Sequence, residues 1–306
     1  MASARIPYDE FGYFQENAAE FGIPYLGPPT VRRTRLGVGP ERALGALVWG
    51  EGEPELVLLH GGAQNAHTWD TVALALDRPL VAIDLPGHGH SDGPRHSTLD
   101  LRGNADDVAT AIRAAAPQAS AVIGMSLGGL TSIALAAASP DLVRALVLVD
   151  VTPGVDRDKS KAIRDFVNGP ESFADFDEIL ARTIEHNPTR SVASLRRGIL
   201  HNAEQRPDGS WVWRYARFRE PGRDGGEDPF PDRSSLWDDI SALTVPLMLV
   251  RGMRPQSVVD DDDEAELIRR LPDARVARVA EAGHSVQGDA PLELARLISE
   301  FAPPST

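Results

Sequence analysis

Between Ala119 and Ser132 an apolar run with strand character, ASAVIGM, passes directly into an alanine-rich run with helix character, and the junction reads Gly124-Met125-Ser126-Leu127-Gly128. A strand that turns straight into a helix leaves no room for a loop. The residue at the corner must therefore adopt sparsely populated backbone angles, and its neighbours must be glycine because any Cβ would crowd the turn. This is the G-x-S-x-G pattern in the strand-turn-helix setting that its chemistry demands. At such a corner the Ser126 hydroxyl is pushed out beyond the sheet edge, within reach of a base. The first N–H groups and the dipole of the following helix favour negative charge developing beside it.

The surrounding pattern fits that corner into a larger frame. ALGALVW, ELVLLHG, PLVAIDL, ASAVIGM and RALVLVDV read as strands, several apolar on both faces, and TWDTVALALD, DLRGNADDVATAIRAAAP and SLGGLTSIALAAASP read as the helices between them. Alternation of this kind predicts an α/β fold with a mostly parallel sheet covered by helices on both sides. The pattern breaks after Val151, where residues 152–235 carry charged helical segments, an aromatic stretch WVWRYARFRE and a Gly/Pro/Asp loop over 221–231. It resumes with PLMLVRG, DDDEAELIRRLP, ARVARVA and APLELARLISEFA. With 306 residues the chain has room for a single large core and an insertion. The expected organisation is an N-terminal extension over 1–42, a core over 43–151 and 236–306, and a cap-like insertion over 152–235.

A serine nucleophile needs rigid donors for the oxyanion of a tetrahedral intermediate. One is the N–H of Leu127, directly after it; the other is assigned to the N–H of Gly62 in ELVLLHGGAQNAHTW, where small residues let the backbone approach a substrate. His60 in the same loop reads as a structural residue. The base is expected late in the chain, and of the eight histidines His284, in VAEAGHSVQGDAP, is the one after the last strand. The acid has two candidates. The loop after PLMLVRG offers no carboxylate before Asp260, whereas Asp150 ends the strand RALVLVDV and should open on the same sheet edge as Ser126. Asp150 is preferred, because the run Asp260–Asp263 is also what a helix start favours.

Together, the nucleophile corner, the His60-Gly61-Gly62 loop and AIDLPGHGHSDGP over 82–94 resemble the α/β-hydrolase superfamily across residues 43–151 and 236–301. That resemblance implies a sheet of about eight strands, with residues 152–235 as a cap over the pocket. In the resembled family some members, notably haloalkane dehalogenases, carry the acid after the strand that Asp150 ends. Those enzymes and the epoxide hydrolases of this fold attack with Asp, so Ser126 speaks against both activities.

Other readings are weighed against this one. His88-Gly89-His90-Ser91-Asp92 spells H-x-H-x-D, but the histidine that a dinuclear zinc motif would place next is Gly93, so no metal is expected. Neither is a cofactor. A formal charge of −14 disfavours nucleic acid, and the absence of cysteine excludes a disulfide scaffold. The N-terminus lacks the apolar run of about 7 to 15 residues of a signal peptide, and no stretch approaches the roughly 18 apolar residues of a membrane span. A cytoplasmic protein acting on a small molecule is expected, with a homodimer left open. His67, Trp69, Trp211 and Trp213, with Tyr215, Phe218 and Trp237, are candidates for binding an apolar, ring-containing group, although alternating aromatics also pack strands. The activity expected is hydrolysis of an ester or lactone; the alternatives are cleavage of a carbon–carbon bond beside a ketone, as in meta-cleavage product hydrolases, and a non-catalytic receptor on the same fold.

Overall fold

A computed structural model describes residues 5–97, 99–155, 158–216 and 233–304. The chain opens with helix α1 (Phe14–Phe21), the hairpin β1 (Val31–Gly39) and β2 (Arg42–Trp49), then β3 (Leu56–Leu59), α2 (Asp70–Leu76), β4 (Leu80–Ile83), α3 (Leu101–Ala115), β5 (Ala121–Met125), α4 (Leu127–Ala138) and β6 (Leu146–Val149). There follow α5 (Lys161–Val167), β7 (Ser172–Phe173), α6 (Phe176–His186), α7 (Val192–Asn202), β8 (Ala203–Gln205), β9 (Trp211–Trp213) and α8 (Ser234–Ser241). The last elements are β10 (Leu247–Gly252), α9 (Asp261–Arg270), β11 (Arg275–Val279), α10 (Val286–Asp289) and α11 (Pro291–Phe301).

Eight strands form one sheet in the order β1-β2-β4-β3-β5-β6-β10-β11. The pairs β1–β2 and β2–β4 are antiparallel and the remainder parallel. Alternation divides each central strand between two cores. Val57, Leu59, Val122, Leu146 and Leu148 meet α3, α4 and α8 on one face. Leu58, Ile123, Met125, Val147 and Val149 meet α2 and α11 on the other. Strands covered on both faces must be apolar throughout, which is why they were legible as continuous runs.

Register sets the functional edge. Leu59 pairs with Gly124, Met125 with Val149, Val149 with Val250, and Gly252 with Val279. The residues just beyond these strand ends, including His60, Ser126 and Asp150, therefore emerge together at the carboxyl edge of the sheet, where open α/β sheets place their ligands.

The sheet begins at Val31, inside the stretch expected to be an extension, because β1 is an edge strand whose Arg32, Arg33 and Arg35 hide its alternation. Residues 5–22 are likewise packed onto the molecule: Phe14 is buried against Trp49, with ring centroids 4.9 Å apart. The Ile6 N–H donates to Gln205 Oε1 (3.0 Å), and Arg197 Nε donates to Asn17 Oδ1 (2.8 Å). This segment straps the region after β6 to the sheet. That region has its own three-stranded sheet, β7-β9-β8, and its own apolar cluster of Phe173, Phe176, Ile179, Ile199, Leu200 and Trp211. The Gly/Pro/Asp loop and Phe218 lie outside the described residues. Among the described residues no helix is long and apolar enough to cross a membrane.

Candidate active site

Ser126 sits between β5 and α4 with φ 50° and ψ −118°, a left-handed conformation that costs a non-glycine residue energy and survives only where the surroundings enforce it. The enforcement is visible. A Cβ on Gly124 would lie 2.5 Å from the Gly128 carbonyl oxygen, and one on Gly128 would run into the Leu59 and His60 carbonyl oxygens. The glycines thus let α4 close directly onto β5 and β3. The Leu130 N–H donates to the Ser126 carbonyl at 3.0 Å, starting the helix at the corner itself.

Asp150, at the end of β6, is also held at positive φ (47°) and is fully buried. Its Oδ1 accepts from the Gly252 N–H (2.9 Å) and the Ser257 hydroxyl (2.6 Å). Its Oδ2 accepts from the Val258 N–H (3.1 Å) and lies 3.0 Å from His284 Nδ1. The loop after β10, which lacks a carboxylate, thus supplies donors to the one carried by β6. Asp260 is placed quite differently. It caps α9 in a reciprocal capping box with Asp263 and pairs with Lys159 Nζ at 2.8 Å. That lysine's hydrogen bond, ahead of any burial effect, holds its pKa below the usual aspartate range.

The first glycine of the His60-Gly61-Gly62 loop packs so closely on Met125 that a Cβ would strike the Met125 sulfur. His60 Nε2 accepts from the Leu85 N–H (2.9 Å), which leaves Nδ1 to donate to the Gly61 carbonyl (2.7 Å). His88 is used likewise: Nε2 accepts from the Ala63 N–H (3.2 Å) and Nδ1 faces the Pro86 carbonyl (3.1 Å). Burial, with His60 beside it, pushes the His88 pKa down to about 3. The H-x-H-x-D spelling is thereby dispersed, since His88 braces the glycine loop while Asp92 pairs with Arg35 at 2.7 Å.

Gly62, Ser126 and His284 line one cavity of about 450 Å³, and the same three with Leu127 touch a smaller one of about 40 Å³. The larger cavity takes its other walls from Asn17 and Phe21 of α1 and from Ile163, Phe166 and Trp213 of the region after β6. These residues, Trp213 apart, carry no sequence signature, because a pocket wall is any side chain that the fold happens to turn inward.

Of the aromatic candidates, Trp213 and His67 reach this cavity. Trp69 does not; it is fully buried in the core beneath the loop that follows β3. Trp211, two residues before Trp213 on β9, fills the small apolar cluster that Trp213 borders, its ring 5.1 Å from that of Phe176. Tyr215 and Trp237 are likewise core residues. His67 is tied into a polar network rather than offering an apolar wall. Its Nδ1 lies 2.9 Å from Asp70 Oδ2, its Nε2 3.2 Å from Glu10 Oε1, and its ring is stacked on His201 with centroids 3.8 Å apart. Burial opposes its charge, but Asp70 and Glu10 outweigh that and raise its pKa to about 9. His67, Asp70 and His201 bring potential ligand atoms within 4.8 Å of one another, the one such group among the described residues. The guanidinium of Arg33, 3.2 Å from His67 Nε2, opposes a cation there.

Residues 56–297 match the model of the family described as the alpha/beta hydrolase family. Esterase Rv0045c of Mycobacterium tuberculosis is 43% identical over 298 residues, covering 95% of this chain and 94% of that protein. A crystal structure of that esterase superposes with a TM-score of 0.82, at 42% identity, over 97% of this chain and 99% of the other. The 2-(acetamidomethylene)succinate hydrolase of Mesorhizobium japonicum is 28% identical over 262 residues, 81% of this chain and 87% of that protein.

Proposed function

Because the chain belongs to the alpha/beta hydrolase family, we propose that it is a carboxylic ester hydrolase that works through an acyl-enzyme on Ser126. The observation that carries this reading is the contact between His284 Nδ1 and the buried Asp150 carboxylate (3.0 Å), with His284 and Ser126 facing one cavity. His284 donates Nδ1–H to Asp150, which leaves Nε2 free to take the Ser126 proton as Oγ attacks the ester carbonyl. The N–H groups of Leu127 and Gly62 receive the oxyanion, the proton passes from His284 to the departing alcohol, and a water activated by the same nitrogen releases the acid. Every proton is accounted for by the chain and solvent, so the cycle closes without a cofactor. Residues 152–235 serve as the cap that shapes the pocket for a small-molecule substrate. An esterase 43% identical across nearly the whole chain favours an ester over a carbon–carbon bond.

The test is a fluorophosphonate probe together with a screen of p-nitrophenyl esters, lactones and vinylogous diketones. Labelling and ester turnover are expected in the wild type, and both should vanish in Ser126→Ala. Turnover of a diketone above every ester and lactone would replace the reading with carbon–carbon hydrolysis. A protein that is neither labelled nor active would be a receptor.

A further inference from the structure

Three cationic side chains other than histidine line the large cavity: Lys159, Arg190 and Arg197. Lys159 is neutralised by Asp260 and Asp263 at 2.8 and 2.9 Å, and Arg197 by Glu20 and Glu16. Arg190 is not. Among the described residues no carboxylate lies within 4.0 Å of its guanidinium, whose side-chain partner is the Ser194 hydroxyl. Asp289 and Glu20 act on it only from farther away, and each has work elsewhere: Asp289 accepts from the Gly283 N–H at 2.9 Å, and Glu20 serves Arg197 and Ser191. The guanidinium lies against Gly288 in α10, the short helix after His284, where any Cβ would collide with Nη1. The glycine therefore makes room for a cation beside the base. Burial lowers the pKa of Arg190, whose side chain is half-buried in the cavity wall.

An uncompensated cation in a cavity wall costs stability unless a ligand answers it. We propose that Arg190 is an anion subsite of the Ser126 cavity, and that the preferred ester carries a carboxylate on the arm that reaches it. The subsite rests on the ester-hydrolase reading given above. A planar guanidinium matches a carboxylate through parallel N–H bonds, whereas a neutral arm would leave the charge without a counter-charge. The arm is held by Arg190 while the carbonyl is presented to Ser126, so the residue sets specificity and touches no reacting atom.

The experiment compares kcat/KM for two matched pairs: p-nitrophenyl hydrogen glutarate against p-nitrophenyl pentanoate, and 4-acetoxybutyrate against butyl acetate. These place the carboxylate on the acyl and the alcohol arm respectively. In the wild type at least one pair should favour the carboxylate about tenfold or more, the range of a charge-assisted bond. The preference should reside in KM, fall away in Arg190→Met and be partly restored in Arg190→Lys. Thermal-shift titration reads the same subsite without chemistry: glutarate should stabilise the wild type, and glutaramide should not. No carboxylate preference in either pair overturns the subsite, as does a preference undiminished in Arg190→Met. Stabilisation by glutarate without turnover of any ester would leave the subsite standing and sink the hydrolase reading instead.

Discussion

Asp150 receives two backbone N–H groups and a hydroxyl besides His284, so its charge is solvated by the protein in a place water does not reach. Asp150→Asn would turn an N–H₂ toward one of these donors and release the imidazole from its tautomer. Turnover should fall by roughly ten-thousandfold with the fold retained, while Asp260→Asn should stay within about twofold of wild type, since that residue serves a helix end. Steady-state kinetics of the two proteins, with circular dichroism to confirm folding, separates them; the opposite ranking would move the acid to Asp260. Asp150 was legible because it ends an apolar strand. Its partner Ser257 was not, since a serine in a loop advertises nothing until the carboxylate it answers is in place. The buried His88 adds a pH signature. Unfolded, it takes up a proton near 6.5, but folded it resists until about 3. The unfolded state therefore binds more protons across that window, and stability should drop by up to about 1.4 kcal/mol per unit as pH is lowered through it. Urea midpoints between pH 7 and pH 5 check this, and His88→Asn should flatten the slope.

The elements differ in how openly they announce themselves. Strands buried on both faces and the alanine- and leucine-rich helix α4 declare their class by composition alone, whereas β1, with arginines along an exposed edge, reads as part of an extension until β2 pairs with it. The same limit applies to Trp211 and Trp213. Period-two alternation puts them on one face of β9 but cannot say that Trp211 ends in the apolar cluster while Trp213 reaches the cavity. At the corner before α4 the glycines are a packing requirement, so Gly128→Ala should force the helix off β3 and cost about 2 kcal/mol or more, together with turnover. At α9 the capping box should be worth about 1 kcal/mol, so Asp260→Ala should lower the denaturation midpoint and leave turnover near wild type. Chemical denaturation followed by activity assay tests both; equal losses of activity in the two variants would undo the distinction between corner and cap.

Across the whole molecule, the segment before Gly22 ties together parts that the sheet alone does not join. Phe14 lies under the sheet against Trp49, the Tyr8 hydroxyl is 3.0 Å from His201 Nδ1, and Glu20 and Asn17 hold Arg197. Phe14→Ala should cost about 3 to 5 kcal/mol, as for other fully buried aromatics. Thermal unfolding should show the loss as a single lowered transition; two separated transitions would mean that the region after β6 does not depend on this strap. The arrangement also imposes an order on assembly. Residues 5–22 leave the ribosome before any of their distant partners, and Arg197 and His201 follow only after most of the sheet has been made. Contacts between residues 180 and 193 positions apart close long loops, which form late. Residues 5–22 therefore cannot complete their contacts until Arg197 and His201 have been made, and until then the side chains that will meet those two residues are open to a chaperone.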